Sequence, residues 1–171
     1  MEKHRIPIPP WRAFTSQAEG KKYVASRFIE NPGETLFVKA AGLCAGKGAL
    51  KSKSLEQALE NIDRMSEFGK AGEIFLVEDA AVGEEYSYYA LINDREIPKT
   101  FKSAQDNKRL YDGDRGPQTG GMGAVAPTRA TENIRGFVEH DQVDRAFRGF
   151  FSDQLEYQGI LYVGGIRNGR S

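Results

Sequence analysis

Apolar positions in the first half of the chain fall into alternating helix-spaced and strand-like runs. Between Gln17 and Glu30, Ala18, Tyr23, Val24 and Phe28 recur near helical spacing, and Asn31-Pro32-Gly33 ends the run. Thr35-Leu36-Phe37-Val38 is a short β-prone stretch that closes on Lys39. The glycine-rich AAGLCAGKGA follows, and a second strand is expected through Leu50. Ser54 has the character of an N-cap, with Gln57 at the third helical position, and predicts a helix to about Phe68. Glu73 to Val77 reads as another strand, broken by Glu78-Asp79-Ala80-Ala81-Val82-Gly83.

The second half is less regular. Tyr86 to Ile92 and Glu96 to Phe101 flank Asn93-Asp94 as the arms of a hairpin. No period holds from Ser103 to Pro127, where glycines and prolines recur; so long a loop in a compact domain is a functional candidate. A helix is predicted from about Thr131 to Tyr157, carrying Ile134, Phe137, Val138, Val143, Phe147, Phe150, Phe151 and Leu155. Ile160 to Ile166 is the final strand. Strands and helices without regular βαβ alternation predict an α+β protein with two helix-backed sheets.

Composition narrows the chemistry. With 171 residues, 39% hydrophobic and 28% charged, the chain can bury one sizeable core. Its 24 basic and 24 acidic side chains balance, so no global field draws it to nucleic acid or an anionic membrane. Any anion it binds must be caught locally. Cys44 is the sole cysteine, and His4 and His140 lie far apart in sequence, which gives no support to a disulfide or a zinc site. No apolar run approaches the roughly 18 residues of a membrane span, and a cytoplasmic location is expected. Both ends read as mid-chain material, so the chain is expected to be part of a longer protein.

The clearest chemistry lies in FVKAAGLCAGKGA. Gly42, Gly46 and Gly48 allow the backbone to approach an anion, while Lys39 and Lys47 can each bring an ammonium to phosphate oxygens. The spacing is not that of a Walker A loop, because Gly42 stands only three residues before Gly46-Lys47, and Gly48 follows. An ordinary glycine-rich turn between strands remains open on these residues alone. In FLVEDAAVGEEYS, Glu78 ends a strand, backbone groups of Asp79, Ala80 and Ala81 could pair with an adenine edge, and Glu85 could accept from both ribose hydroxyls. Two solvated glutamates beside a turn is the plainer alternative.

SAQDNKRLYDGDRGPQTGGMGAVAP resembles the signature segment of the phosphoribosylamine–glycine ligases, in which QDHKR and GDGDKGPNTGGMG recur. The glycine loop resembles that family's KADGLAAGKGV, EDAAVGEEYS its EEFLDGEEAS, and GILYVGGI its GFLYAGLM strand. The resemblance runs through nearly the whole chain, in order. It implies an ATP-grasp fold, incomplete at both ends, with a small lid subdomain over residues 1–80 and part of the core subdomain over residues 81–171. It also implies ligation of glycine to 5-phosphoribosylamine through a glycyl phosphate, with ATP and Mg2+ or Mn2+. By position, Lys39, Gly46, Lys47 and Gly48 match the phosphate site, Glu78 to Ala81 the adenine hinge, and Glu85 the ribose carboxylate. Asp106, Lys108, Arg109 and Gly120-Gly121-Met122-Gly123 match the acceptor side. Mutual pairing of Asp106 and Arg109 is an alternative to substrate contact.

The departures are Ala41 for an aspartate, Asn107 for a histidine and Ala80 for an aromatic residue. The family's metal-holding glutamate and asparagine would fall beyond Ser171, so no metal ligand is assigned here, and the chain alone is expected to be inactive. Two other readings stay open: an ATP-grasp carboxylate–amine ligase with different substrates, and a non-catalytic nucleotide-binding module.

Overall fold

Helix α1 (Gln17–Glu30) begins where Ser16 accepts a hydrogen bond from the Glu19 N–H, and ends at Asn31. Helix α2 (Leu55–Asp63) starts at Ser54, whose Oγ accepts from the Gln57 N–H at 3.3 Å, as its capping pattern predicts. Both helices turn Val24, Phe28, Ala58 and Ile62 inward. They bury these against one face of a four-stranded antiparallel sheet, ordered β1-β4-β2-β3. Its strands are β1 (Trp11–Phe14), β2 (Leu36–Ala40), β3 (Ala49–Ser52) and β4 (Phe75–Asp79). Phe14, Leu36, Val38, Phe75 and Val77 supply the sheet's side of that core. Each such side chain taken fully from water contributes about 1.5–3 kcal/mol.

The structure is a computed structural model and describes residues 1–94, 96–113, 115–118, 122–128, 139–152 and 156–167. It divides into two compact units, Pro9–Ala81 and Met1–Ile8 with Val82–Ser171. The first eight residues therefore go with the second unit, although the sequence reading groups them with residues 9–80. Arg145 donates to the Arg5 carbonyl at 3.2 Å, and Gly149 leaves room for the His4 ring, which holds this segment there.

In the second unit β5 (Glu84–Asn93) pairs along its whole length with β11 (Gln158–Arg167). Its other side carries β6 (Glu96–Thr100). Tyr86, Ala90 and Ile92 point to one face, where Phe147 of α3 (Glu139–Ser152) completes a small core. The expected α+β architecture with two helix-backed sheets is therefore present.

Several boundaries differ from expectation. Regular α-helix stops at Asp63 rather than near Phe68, and a 3₁₀ segment continues from Arg64 to Gly72 with Gly69 in a non-helical conformation. The strand expected from Glu73 is shifted and runs from Phe75 to Asp79. The last helix does not reach Tyr157, whose hydroxyl instead donates to the Ile160 carbonyl at 3.0 Å as β11 begins. Ile134, Phe137, Val138 and Leu155, and the side chain of Val143, lie outside the described residues. The aperiodic stretch holds β7 (Gln105–Asp106), β8 (Arg109–Tyr111), β9 (Arg115–Gln118) and β10 (Ala124–Val125). Strands this short leave no period for a sequence pattern to show.

Candidate nucleotide site

Strand alternation sorts the first unit's sheet into a covered face and an open one. Register places Trp11, Phe37, Lys39, Lys51, Leu76 and Glu78 on the open face, opposite the helices. Lys39 Nζ and Glu78 Oε2 form an ion pair at 2.5 Å. The same ammonium stands 5.4 Å from the centre of the Phe37 ring, and Lys51 Nζ approaches that ring at 5.9 Å. Lys39 is thus held at the end of β2 with one carboxylate as counter-ion, directly before the glycine loop. Phe37 and Lys51 carry no motif in the sequence. Only the strand register, which sets Phe37 opposite Lys51, reveals them.

The loop itself is folded back on the unit. The Ala41 and Gly42 N–H groups donate to Ile74 and Ala71, and the Lys47 N–H donates to the Cys44 carbonyl at 2.9 Å. Ala45 and Gly46 both have positive φ between Cys44 and Lys47, as a tight type I′ turn requires. A side chain at Gly48 would meet Cys44 Sγ at 2.8 Å, so this position stays small for packing reasons. Lys47 is exposed at the turn. Three of the loop's N–H groups are therefore used internally, and Leu43 to Gly46 is the span left to face an anion.

The hinge residues are tied in as well. The Asp79 N–H donates to Pro10 O at 2.9 Å and the Ala80 N–H to Thr35 O at 3.1 Å. The Asp79 carboxylate faces away from Glu78, toward α1, and accepts from Arg27 Nη2 at 2.8 Å. Arg27 also donates to Glu34 and, at 2.9 Å, to the Tyr23 hydroxyl. Burial opposes the Arg27 charge, but these hydrogen bonds from Tyr23, Glu34 and Asp79 outweigh it and hold the guanidinium above the ordinary arginine range. Ala81 is exposed where the chain leaves the unit.

In the second unit Glu85 and Lys108 form an ion pair on the face of β5 away from α3. Burial works against the Lys108 ammonium, yet the hydrogen bond and charge of Glu85, with Tyr162 and Asp106 nearby, raise it above the usual lysine value. Tyr162 shares this face: its ring lies 5.3 Å from that of Tyr89 and its hydroxyl accepts from Ser87 Oγ at 3.5 Å. Arg109 Nη1 donates to the Gly116 carbonyl at 2.9 Å, bracing the β8–β9 hairpin. Asp106 pairs in register with Ala124, and the Asn107 N–H donates to Gly123. Met122 and Gly123 are thereby placed beside Asp106, while Gly120 and Gly121 lie outside the described residues.

The expected site residues thus divide between the units: Lys39, Gly46, Lys47, Gly48, Glu78 and Asp79 lie in the first, where Lys39 and Glu78 meet, and Glu85, Asp106, Lys108 and Arg109 in the second, where Glu85 and Lys108 meet. Among the described residues no group of three or more His, Cys, Asp or Glu is arranged to hold a metal ion. No described helix is long and apolar enough to cross a membrane.

The family described as phosphoribosylglycinamide synthetase, ATP-grasp (A) domain, matches residues 1–167. The chloroplastic phosphoribosylamine–glycine ligase of Arabidopsis thaliana is 37% identical over 166 residues, covering 95% of this chain and 30% of that protein. The human trifunctional purine biosynthetic protein adenosine-3 is 37% identical over 168 residues, covering 96% of this chain and 16% of that protein. The phosphoribosylamine–glycine ligase structure from Thermotoga maritima superposes with a TM-score of 0.77 at 28% identity, over 97% of this chain and 41% of that one. The chain thus spans less than a third of these two curated relatives. Matched along almost its whole length by one family and sharing that family's fold, this chain belongs to the phosphoribosylglycinamide synthetase ATP-grasp (A) domain family.

Proposed function

We propose that the chain supplies the ATP-binding part of a ligase that joins glycine to 5-phosphoribosylamine. In this reading the Pro9–Ala81 unit is the lid subdomain of the ATP clamp, and the chain from Val82 is part of its core subdomain. Lys39 and Lys47 hold phosphate oxygens, and an arriving phosphate replaces Glu78 as counter-ion to Lys39. The backbone from Glu78 to Ala81 takes the adenine. Because the Asp79 and Ala80 N–H groups are already used, its carbonyls and the exposed Ala81 are the groups available for that contact. Glu85 takes the ribose hydroxyls on a carboxylate whose charge Lys108 balances. Asp106, Lys108 and Arg109 shape the acceptor side.

The reaction needs no side-chain nucleophile. The γ-phosphoryl group passes from ATP to a carboxylate oxygen of glycine, and ADP leaves. The amine nitrogen of 5-phosphoribosylamine then attacks the acyl carbon, phosphate departs, and the nitrogen loses a proton. Positioning and neutralisation of phosphoryl charge carry such chemistry. An ATP-grasp ligase also implies Mg2+ or Mn2+. The described donor set does not fit such an ion, so no step is routed through it.

The observation that carries this reading is the Lys39 ammonium, fixed on the open sheet face immediately before the glycine loop, in a chain of this family. Its test is ADP release by the protein that carries this chain. Release is expected only when glycine and 5-phosphoribosylamine are both supplied. Equal rates with glycine, alanine and serine would sink the glycine assignment and leave a ligase of other specificity.

A further inference from the structure

We infer that Arg27 is a positioning residue for the nucleotide: it holds the end of β4 in the conformation that offers backbone groups to the base, and touches no nucleotide itself. The inference rests on the nucleotide-binding reading above. The chain leaves the Pro9–Ala81 unit at two points, and the segments leading to them are joined to each other. Trp11 pairs with Glu78, and the Asp79 N–H bonds to the Pro10 carbonyl. The next N–H, that of Ala80, bonds to Thr35.

On this frame two consecutive carboxylates point to opposite faces of the sheet, and each meets a cation. Glu78 ends on Lys39, and Asp79 on Arg27. The Arg27 guanidinium reaches in two directions. Nη1 takes the Tyr23 hydroxyl within α1, and Nη2 bridges Asp79 and Glu34. One planar group thereby joins α1, the turn before β2 and the last residue of β4.

As a device for stability the arrangement is poor. Two carboxylates share one cation, and the Arg27, Glu34 and Asp79 side chains are 22%, 12% and 31% exposed. Buried Glu34 Oε2 finds no hydrogen-bond partner among the described residues. Half-buried charge networks of this kind return little net stability, because desolvation opposes the attraction. What the network does supply is direction. With Glu78 and Asp79 both anchored, the backbone of residues 79–81 has one path out of the unit, and that path carries the proposed adenine contacts.

Arg27→Lys separates positioning from bulk stability, since an ammonium keeps the charge but offers its donors from one nitrogen and cannot span Tyr23, Glu34 and Asp79 as the planar fork does. Residue-resolved amide exchange is measured on the 171-residue chain, together with affinity for ATP and for inorganic tripolyphosphate. The expected result is exchange at the Asp79 and Ala80 amides about tenfold faster, with Val38 and Val77 unchanged. ATP affinity falls about fivefold, and tripolyphosphate affinity, which depends on the lysines and the glycine loop, stays the same. Uniform acceleration across the sheet would reduce Arg27 to a stability role and overturn the inference. So would unchanged ATP affinity, or equal losses for both ligands. A wild-type chain that binds neither ligand defeats the nucleotide reading itself, a result distinguishable from the others. Should Arg27→Lys fail to fold, Asp79→Asn, which keeps the shape and removes one charge, is read by the same criteria.

Discussion

The two sheets divide their labour differently. In the Pro9–Ala81 unit one face of the sheet is packed under α1 and α2, and the other carries Lys39 and Glu78. The core and the proposed phosphate contact there occupy opposite faces, so they can be altered separately. In the second unit Tyr86, Ala90, Ile92 and Phe147 form the buried cluster among the described residues. The opposite face mixes the Glu85–Lys108 pair with Ile160 and Tyr162, which are 57% and 55% exposed. Among the described residues ten buried side chains back the first unit's open face and four back the second's, and both open faces mix charged with apolar side chains.

The largest expected effect tests the packed face. Phe75 is 1% exposed and its ring stacks on Phe14 at 5.6 Å. Phe75→Ala should cost about 3–5 kcal/mol of stability. Exposed Ile160→Ala should stay within about 0.5 kcal/mol. Chemical denaturation of both variants settles the contrast, and similar losses would erase the distinction between the two sheets. Lys39→Ala should do the reverse of Phe75→Ala. A charge-assisted phosphate contact is worth about 1.5–3 kcal/mol, so in the full-length protein that carries this chain turnover should fall at least about tenfold while the melting temperature barely moves. Steady-state rates within twofold of wild type would remove Lys39 from the site.

Two smaller effects sharpen the picture. Ser54→Ala removes the α2 cap and should cost about 1 kcal/mol, measured by thermal unfolding. For Lys108, the folded value is raised above the ordinary 10.5, so its pairing with Glu85 stabilises the fold below that value and is lost as pH rises through the folded one. Both side chains are over 40% exposed, so solvent screening keeps the contribution within about 0–1 kcal/mol. The stability difference between wild type and Lys108→Gln should therefore be present at neutral pH and vanish under strongly alkaline conditions. A difference that grows with pH would contradict the pairing.

Much of the first unit was legible because its signals are local. Ser54 with Gln57, the apolar spacing of α1, and the β-prone run before Lys39 each fix an element without distant partners. The placement of Lys39 near the end of its strand, ahead of a glycine turn, was legible for the same reason. What the sequence hid depends on register or long-range pairing. Arg27 reads as one more exposed helix cation until Asp79, far along the chain, arrives beside it. The kink at Gly69 and the close approach of Gly72 to the Met65 carbonyl lie within the 3₁₀ segment after Asp63, and neither alters the apolar period. The short strands from Gln105 to Val125 are built from pairings of two to four residues, too brief to print a pattern.

The tight turn of the glycine loop gives the protein a built-in chemical reporter. Cys44 is the chain's single cysteine and opens that turn, with its sulfur hydrogen-bonded to the Gly42 carbonyl and packed against Gly48. The side chain is half-exposed, so a thiol reagent meets the sulfur at the edge of the turn, where its access depends on the turn's conformation. The rate of thiol labelling therefore responds to changes in the loop, at one defined atom and without any engineered cysteine. A ligand that grips the loop slows that rate, and one that binds elsewhere leaves it unchanged.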